Sequence, residues 1–397
     1  MSNTIAIKKQ DNIRPWICAV LLFVISYPMW FWSMSQDVIT VASLLLLFLA
    51  FDDISHNKKK FGVGLFLLFL QIIFLGRYFI LPNTNIFGYI MVLIRGIGYA
   101  TIFLCSVDFW KKTVDCFIKL LALLLIPALI EHVMVTFLGL STINPGYAEC
   151  PINPEREYDI YVFNAYLVRT FDVASRLRFF AFFDEPGVLG NLVMVLLYIQ
   201  KFNLRKWYNI VLLISGILTF SMAFYAAVAA YYIIFGNMKL KIAFVVVVLL
   251  ATYYFYNNDD IYQLVFGRFE FEDGELAGYN REIHTDFVPW LRRQQIVDYL
   301  FWGYSPRWVI PYAASWKWAF ALYGIIPSLI YLFTLLFSHI RNMHRKDEVL
   351  LCLILVAIIW IQRPFIQLYF YAFLLAIPFI YFSDSSKKRI NNVQRNE

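Results

Sequence analysis

Long apolar runs separated by short polar stretches dominate the chain. Crossing a hydrocarbon core as a helix takes about 20 mostly apolar residues, and runs near 15–33, 37–51, 61–81, 86–107, 114–140, 179–200, 208–220, 222–236, 240–256, 313–338, 349–362 and 364–382 supply about twelve candidates, several of them short. The run beginning at Trp207 is interrupted by Ser215, Gly216, Thr219 and Ser221, small or polar positions that predict two helices instead of one. Gln362, Arg363 and Pro364 divide the last run in the same way. Two long stretches, 141–178 and 257–312, carry no such run. In the first, Asn153, Pro154 and Glu155 read as an N-cap, a first-turn proline and an acidic first turn. Ile160, Phe163, Leu167 and Phe171 follow at spacings of three and four, with Arg169 and Arg176 on another face, predicting an amphipathic helix at the membrane interface.

Composition supports the membrane reading. Soluble chains are about 45–50% apolar and about 25% charged, whereas this one is 61% apolar and 15% charged. It shows no fixed-period repeat and no polar stretch long enough for a soluble domain. The expectation is a single transmembrane domain over 1–397: an all-α, polytopic bundle of about twelve helices. The net charge of +7 does not point to nucleic acid, because the basic residues form short clusters between apolar runs. These clusters are Lys8, Lys9, Arg14; Lys58, Lys59, Lys60; Lys111, Lys112; Lys201, Arg205, Lys206; Lys239, Lys241; Arg341, Arg345, Lys346; and Lys387, Lys388, Arg389, Arg395. They occupy alternate loops, so the positive-inside rule puts both termini in the cytoplasm and both long stretches, 141–178 and 257–312, outside. The first run is long, aromatic-ended and without a small-residue cleavage site, so it reads as a retained helix. Cys18, Cys105, Cys116 and Cys352 fall in or beside apolar runs, leaving Cys150 alone outside and no disulfide framework. No His/Cys spacing resembles a zinc site, and His56, His339 and His344 sit among basic loop residues.

The two sides use different cations. Fourteen of the twenty inner basic residues are lysine, whereas the outer ones are Arg156, Arg169, Arg176, Arg178, Arg268, Arg281, Arg292, Arg293, Arg307 and Arg363, against a single Lys317. Arginine offers a planar fork suited to carboxylate or phosphate. Outer acids such as Glu155, Glu157, Asp172 and Glu282 can pair with some of these arginines. A bound phosphate or diphosphate accounts better for the set.

After Arg176 and Arg178 come Phe179, Phe180, Ala181, Phe182, Phe183, Asp184, Glu185, Pro186, Gly187 and, three residues on, Gly190. Two acids at the outer mouth of a membrane helix require water or a partner, although the helix dipole favours them there. This segment resembles the bacterial O-antigen and capsule repeat-unit polymerases of the Wzy type, in which arginine precedes an acid, proline and glycine at a helix start. Leu218, Thr219, Phe220 and Ser221 at a short outer turn are similar to a second family motif; Phe301, Trp302, Gly303 and Tyr304 resemble a third, and Leu322 to Ile326 a fourth. The resemblance covers residues 170–335 in motif order and implies a GT-C-like bundle with two large periplasmic loops. It also extends to the O-antigen ligases. Ligases carry a histidine eleven residues before the glycine matched here by Gly324; Ala313 stands at that position, which favours the polymerase.

The resemblance implies an undecaprenyl-diphosphate-linked oligosaccharide as both donor and acceptor, in contact with membrane lipids of the inner membrane. A chain-length regulator is a further candidate partner; no cofactor, metal or nucleic acid is expected. Holding a diphosphate and stabilising its departure is work for arginines, here Arg169, Arg176, Arg178, Arg281, Arg292 and Arg293. Candidates for the general base are His284, Glu185 and Asp184. Within the bundle, Arg95, Glu131 and His132 predict an ion pair between helices, or a proton relay in the rival reading of a lipid-linked oligosaccharide flippase.

Overall fold

The computed structural model describes residues 2–34, 37–56, 61–79, 85–136, 138–139, 146–150, 153–160, 167–169, 177–267, 270–272, 275–276, 295–297, 300–301, 303, 316–341, 343, 345–363 and 365–383. Every apolar run carries a helix. They are α1 (Ser2–Ile25), α2 (Asp37–His56), α3 (Phe61–Phe79), α4 (Ile86–Gly98), α5 (Ala100–Leu104), α6 (Val107–Thr136), α7 (Pro186–Ile199), α8 (Trp207–Leu218), α9 (Met222–Phe235), α10 (Met238–Tyr256), α11 (Asp259–Val265), α12 (Trp316–Tyr323), α13 (Ile325–Ile340), α14 (Lys346–Gln362) and α15 (Tyr369–Phe382). The predicted interruption between Trp207 and Phe235 is present: α8 stops at Leu218 and α9 begins at Met222.

Among the described residues, four segments are long and apolar enough to cross a membrane: α2, α4 with α5, α6 and α10. None of the nineteen residues of α10 is buried against protein, although Val245 to Leu250 and Tyr253 are apolar or aromatic. A helix that is apolar on all sides and unburied requires a hydrocarbon solvent. The chain is a helical membrane protein. Helices α7, α8 and α9, at 14, 12 and 14 residues, are about 18–21 Å long, short of the roughly 30 Å of a bilayer core.

Helix starts follow capping chemistry. Asn85, Asn237 and Asn258 each accept a hydrogen bond from a first-turn backbone N–H, at 3.0, 2.9 and 3.1 Å, opening α4, α10 and α11. At α6 the hydroxyl of Ser106 accepts from the Phe109 N–H at 3.1 Å, while its own N–H and hydroxyl donate to the Asp53 carboxylate at 2.6 Å each.

The amphipathic helix expected within 141–178 is absent at 153–160. Asn153–Ile160 is instead strand β2, paired antiparallel with β1 (Gly146–Cys150) and β3 (Leu167–Arg169). The spacing of three and four was compatible with a helix, but the acids at 155, 157 and 159 alternate with Arg156, Tyr158 and Ile160 at the strand period of two. Pro154 lacks an N–H for the ladder and falls where the register shifts, between Glu149 paired with Glu157 and Cys150 paired with Asn153. A two-residue hairpin, β4 (Phe271–Glu272) with β5 (Glu275–Leu276), lies in the second long stretch.

The chain forms two compact units. One comprises residues 1–26, 36–117 and 281–397, the other 27–35 and 118–280. In the first unit, Arg95 donates to Asp37 at 3.2 Å and to the Thr40 hydroxyl at 3.1 Å, so Asp37 supplies an acid for this half-buried cation. Its core is tied by neutral hydrogen bonds: Tyr99 Oη donates to the Gln367 carbonyl at 2.6 Å, Tyr323 Oη to Gln367 Oε1 at 2.9 Å, and Thr101 bonds Tyr369. The third and fourth motifs meet here. Gly303 (φ +61°) and Gly324 (φ +85°) touch through backbone: a Cβ on Gly303 would lie 2.4 Å from the Leu322 carbonyl oxygen, and one on Gly324 would lie 2.9 Å from Phe301 C. Arg77, at the end of α3, donates to the Gly303 carbonyl at 2.7 Å. Cys18, Cys105, Cys116 and Cys352 are free thiols.

Candidate functional site

The second unit gathers polar groups at the level where α6 ends, α7 and α9 begin and α8 ends. Its scaffold is the segment Phe179–Phe183, whose five side chains are no more than 1% exposed. Aromatic burial on that scale fixes the backbone that carries the neighbouring charges. The Phe179 N–H donates to the Leu218 carbonyl at 2.8 Å, and the Phe182 carbonyl accepts from Met29 N–H at 2.9 Å while its ring lies 4.9 Å from Trp30. His132, in the last turns of α6, packs its ring tilted against Phe179 with centroids 5.3 Å apart, and its Nδ1 bonds the Thr136 hydroxyl at 3.3 Å.

This scaffold joins two motifs about 40 residues apart. Arg178 Nε donates to the Thr219 carbonyl at 3.3 Å, so the arginine ahead of the acidic helix start sits on the turn between α8 and α9. The turn is internally satisfied at Thr219, whose hydroxyl donates to Gly216 O at 2.7 Å and accepts from Ser221 N–H at 3.1 Å. Phe220, at φ +48°, turns its ring into a small apolar cluster with Val265, Leu177 and Phe255. Leu177 and Phe220 thereby hold Arg178 and Thr219 from both sides.

Asp184 and Glu185 are half-buried immediately before α7. Glu185 occupies the N-cap, with extended backbone (φ −148°, ψ 146°) and no side-chain capping bond; Pro186 takes the first helical position. The carboxylate is therefore not committed to closing its own helix. Asp184, Glu185 and Arg178 thus lie within one eight-residue stretch on a rigid aromatic base, a combination of cation and potential proton acceptors. His284, Arg176, Arg281, Arg292 and Arg293 lie outside the described residues. Arg169 has its backbone in β3, and its side chain lies outside the description.

Two features were not anticipated. Gly190 of α7 packs directly on the turn: a Cβ there would lie 2.8 Å from Ser221 Cβ and 3.3 Å from Thr219 Oγ1. Asn191, next along the helix, is fully buried and makes no hydrogen bond through either amide atom, and Ser221 Oγ is likewise buried and unbonded. The sequence signal was a lone asparagine within the apolar stretch Val188–Leu197, legible only as an oddity. Among the described residues, no three His, Cys, Asp or Glu side chains converge as metal ligands. No protein-family model, curated protein or solved structure matches the chain.

Proposed function

We propose that the protein is a membrane glycosyltransferase, an O-antigen repeat-unit polymerase acting on lipid-diphosphate-linked oligosaccharides. Of the structural observations, the contact of Arg178 with the Thr219 turn supports this reading best, because it brings two of the resembling motifs into one polar layer beside a helix opened by Asp184 and Glu185. In the proposed arrangement about twelve spans place both termini in the cytoplasm and this layer at the periplasmic face of a Gram-negative inner membrane.

The chemistry follows from the residue types. A hydroxyl oxygen of the acceptor unit attacks the anomeric carbon of the donor glycan; the bond from that carbon to the diphosphate oxygen breaks, and the electron pair leaves with undecaprenyl diphosphate. Arg178, with Arg169, Arg176, Arg281, Arg292 and Arg293, holds the diphosphate and offsets its growing charge, an effect worth on the order of 10² to 10³ in rate per well-placed donor. The acceptor's proton passes to Glu185, Asp184 or His284, a base contributing about 10² to 10⁴. Positive charge comes from arginine, so the reaction is proposed to run without a metal ion.

The deciding experiment is the surface lipopolysaccharide pattern of a deletion strain. Loss of a polymerase leaves lipid A-core capped with a single repeat unit. Complete loss of repeat units would instead indicate the ligase or the flippase, and a normal ladder would refute the proposal.

A further inference from the structure

Asn191 deepens this reading, and the argument rests on it. Apart from Asn191 and Tyr198, α7 is built of apolar residues, proline and glycine, and every residue in it is buried. Asn191 is 0% exposed, with both its amide donor and its amide acceptor unbonded; Ser221 is 2% exposed, with its hydroxyl unbonded. Buried polar atoms in folded proteins are almost always paired, and each exception requires an explanation.

Their placement supplies one. Gly187, Gly190 and Asn191 share one face of α7, being three and four residues apart. On that face Gly190 meets Ser221, whose Oγ would lie 3.0 Å from an added Cβ. Asn191 is one turn into the helix from Gly187, so its backbone lies about 7.5 Å beyond Pro186 along the axis. Arg178 is held on the Thr219 carbonyl, two residues before Ser221. Thr219's own hydroxyl already has a donor and an acceptor partner, so Asn191 and Ser221 retain the unused capacity. That capacity is neutral and two-sided, with donors and an acceptor together. A phosphate, which only accepts, would leave the amide oxygen unpaired, and a simple cation would leave the amide N–H groups unpaired. A sugar hydroxyl or acetamido group pairs with both.

We infer that Asn191 and Ser221 form a saccharide seat beside the diphosphate-holding Arg178, receiving the neutral hydrogen-bonding groups of the sugar attached to the diphosphate.

The test uses the full-length protein in nanodiscs and two probes, undecaprenyl diphosphate and undecaprenyl-diphosphate-linked N-acetylglucosamine, with thermal unfolding as the readout. Both probes should raise the Tm of the wild type, the sugar-bearing one by more. Asn191→Leu, nearly isosteric, should unfold at a higher temperature than the wild type without lipid, because the unpaired amide is gone. It should keep the response to undecaprenyl diphosphate and lose the extra increment from the sugar. Ser221→Ala, a smaller change, makes the same comparison if the leucine variant does not fold. Equal shifts from both probes in the wild type, or an extra increment that survives in the variants, would overturn the seat while leaving the transferase reading standing. No shift from either probe would overturn both.

Discussion

Replacing Arg178 with lysine separates diphosphate recognition from surface charge. In the folded protein Nε donates to the neutral Thr219 carbonyl at 3.3 Å, long for an N–H···O contact. Its loss should cost at most about 1 kcal/mol of stability, a Tm change of about 2–4 °C for a domain of 150–250 residues. The functional cost is separate. Lysine keeps the positive charge but not the fork, so one of two hydrogen bonds to the diphosphate disappears; a bond to a charged group is worth about 1.5–3 kcal/mol. At 1.36 kcal/mol per tenfold, kcat/KM should fall about 10- to 150-fold. The assay is polymerisation of purified lipid-diphosphate-linked repeat units by protein reconstituted in liposomes, read as ladder length and initial rate, with Tm and membrane level measured in parallel. Wild-type kcat/KM in Arg178→Lys would refute the fork argument and make Arg178 a mere anchor of the Thr219 turn. A loss proportional to reduced protein level would refute it equally.

Other consequences are open to direct measurement. Glu185→Gln and His284→Ala test the base, and at least one should abolish long chains, lowering turnover more than substrate affinity; normal ladders from both would place the base elsewhere. Gly324→Ala puts a Cβ at φ +85° within 2.9 Å of Phe301 C, and Arg77→Met removes the 2.7 Å bond to Gly303. Each should lower Tm, the latter through about 1.5–3 kcal/mol, and an unchanged Tm in both would contradict the junction. Burial raises the Asp347 carboxyl, but the hydrogen bond from Arg345 at 2.6 Å and its charge outweigh it, leaving the group below its ordinary value of 3.8. A depressed carboxyl stabilises the fold above its unfolded pKa, and that stability is lost as pH falls through the folded value, so wild type and Asp347→Asn should converge below about pH 4. Reporter fusions after Asn57, Lys112, Lys206 and Met343 should report cytoplasm and those near Asn153 and Gly274 periplasm, with a cytoplasmic signal at Gly274 refuting the topology. EDTA should leave polymerisation in vitro unchanged; loss restored by magnesium or manganese would show that a metal takes part.

The sequence alone placed a helix on each apolar run, because hydrophobic solvation is local: each run contains its own reason to be a helix in lipid, and the polar break at Thr219 and Ser221 ends one where α8 ends; it did not show α11 or the division of the run 313–338 at Gly324. Charge at Asp184 and Glu185 and the proline after them likewise marked the start of α7. Strand β2 escaped the same reading, since its stability comes from partners in β1 and β3 that a local spacing does not contain. What tertiary structure alone decided were the meetings of distant segments. Arg178 sits on Thr219, 41 residues on, and Arg77 holds Gly303 across 226 residues. Asn191 shows the limit most sharply: an asparagine in an apolar helix is visible in the sequence, but whether its amide is paired depends on which neighbours the fold brings within about 3 Å, and here the fold brings none.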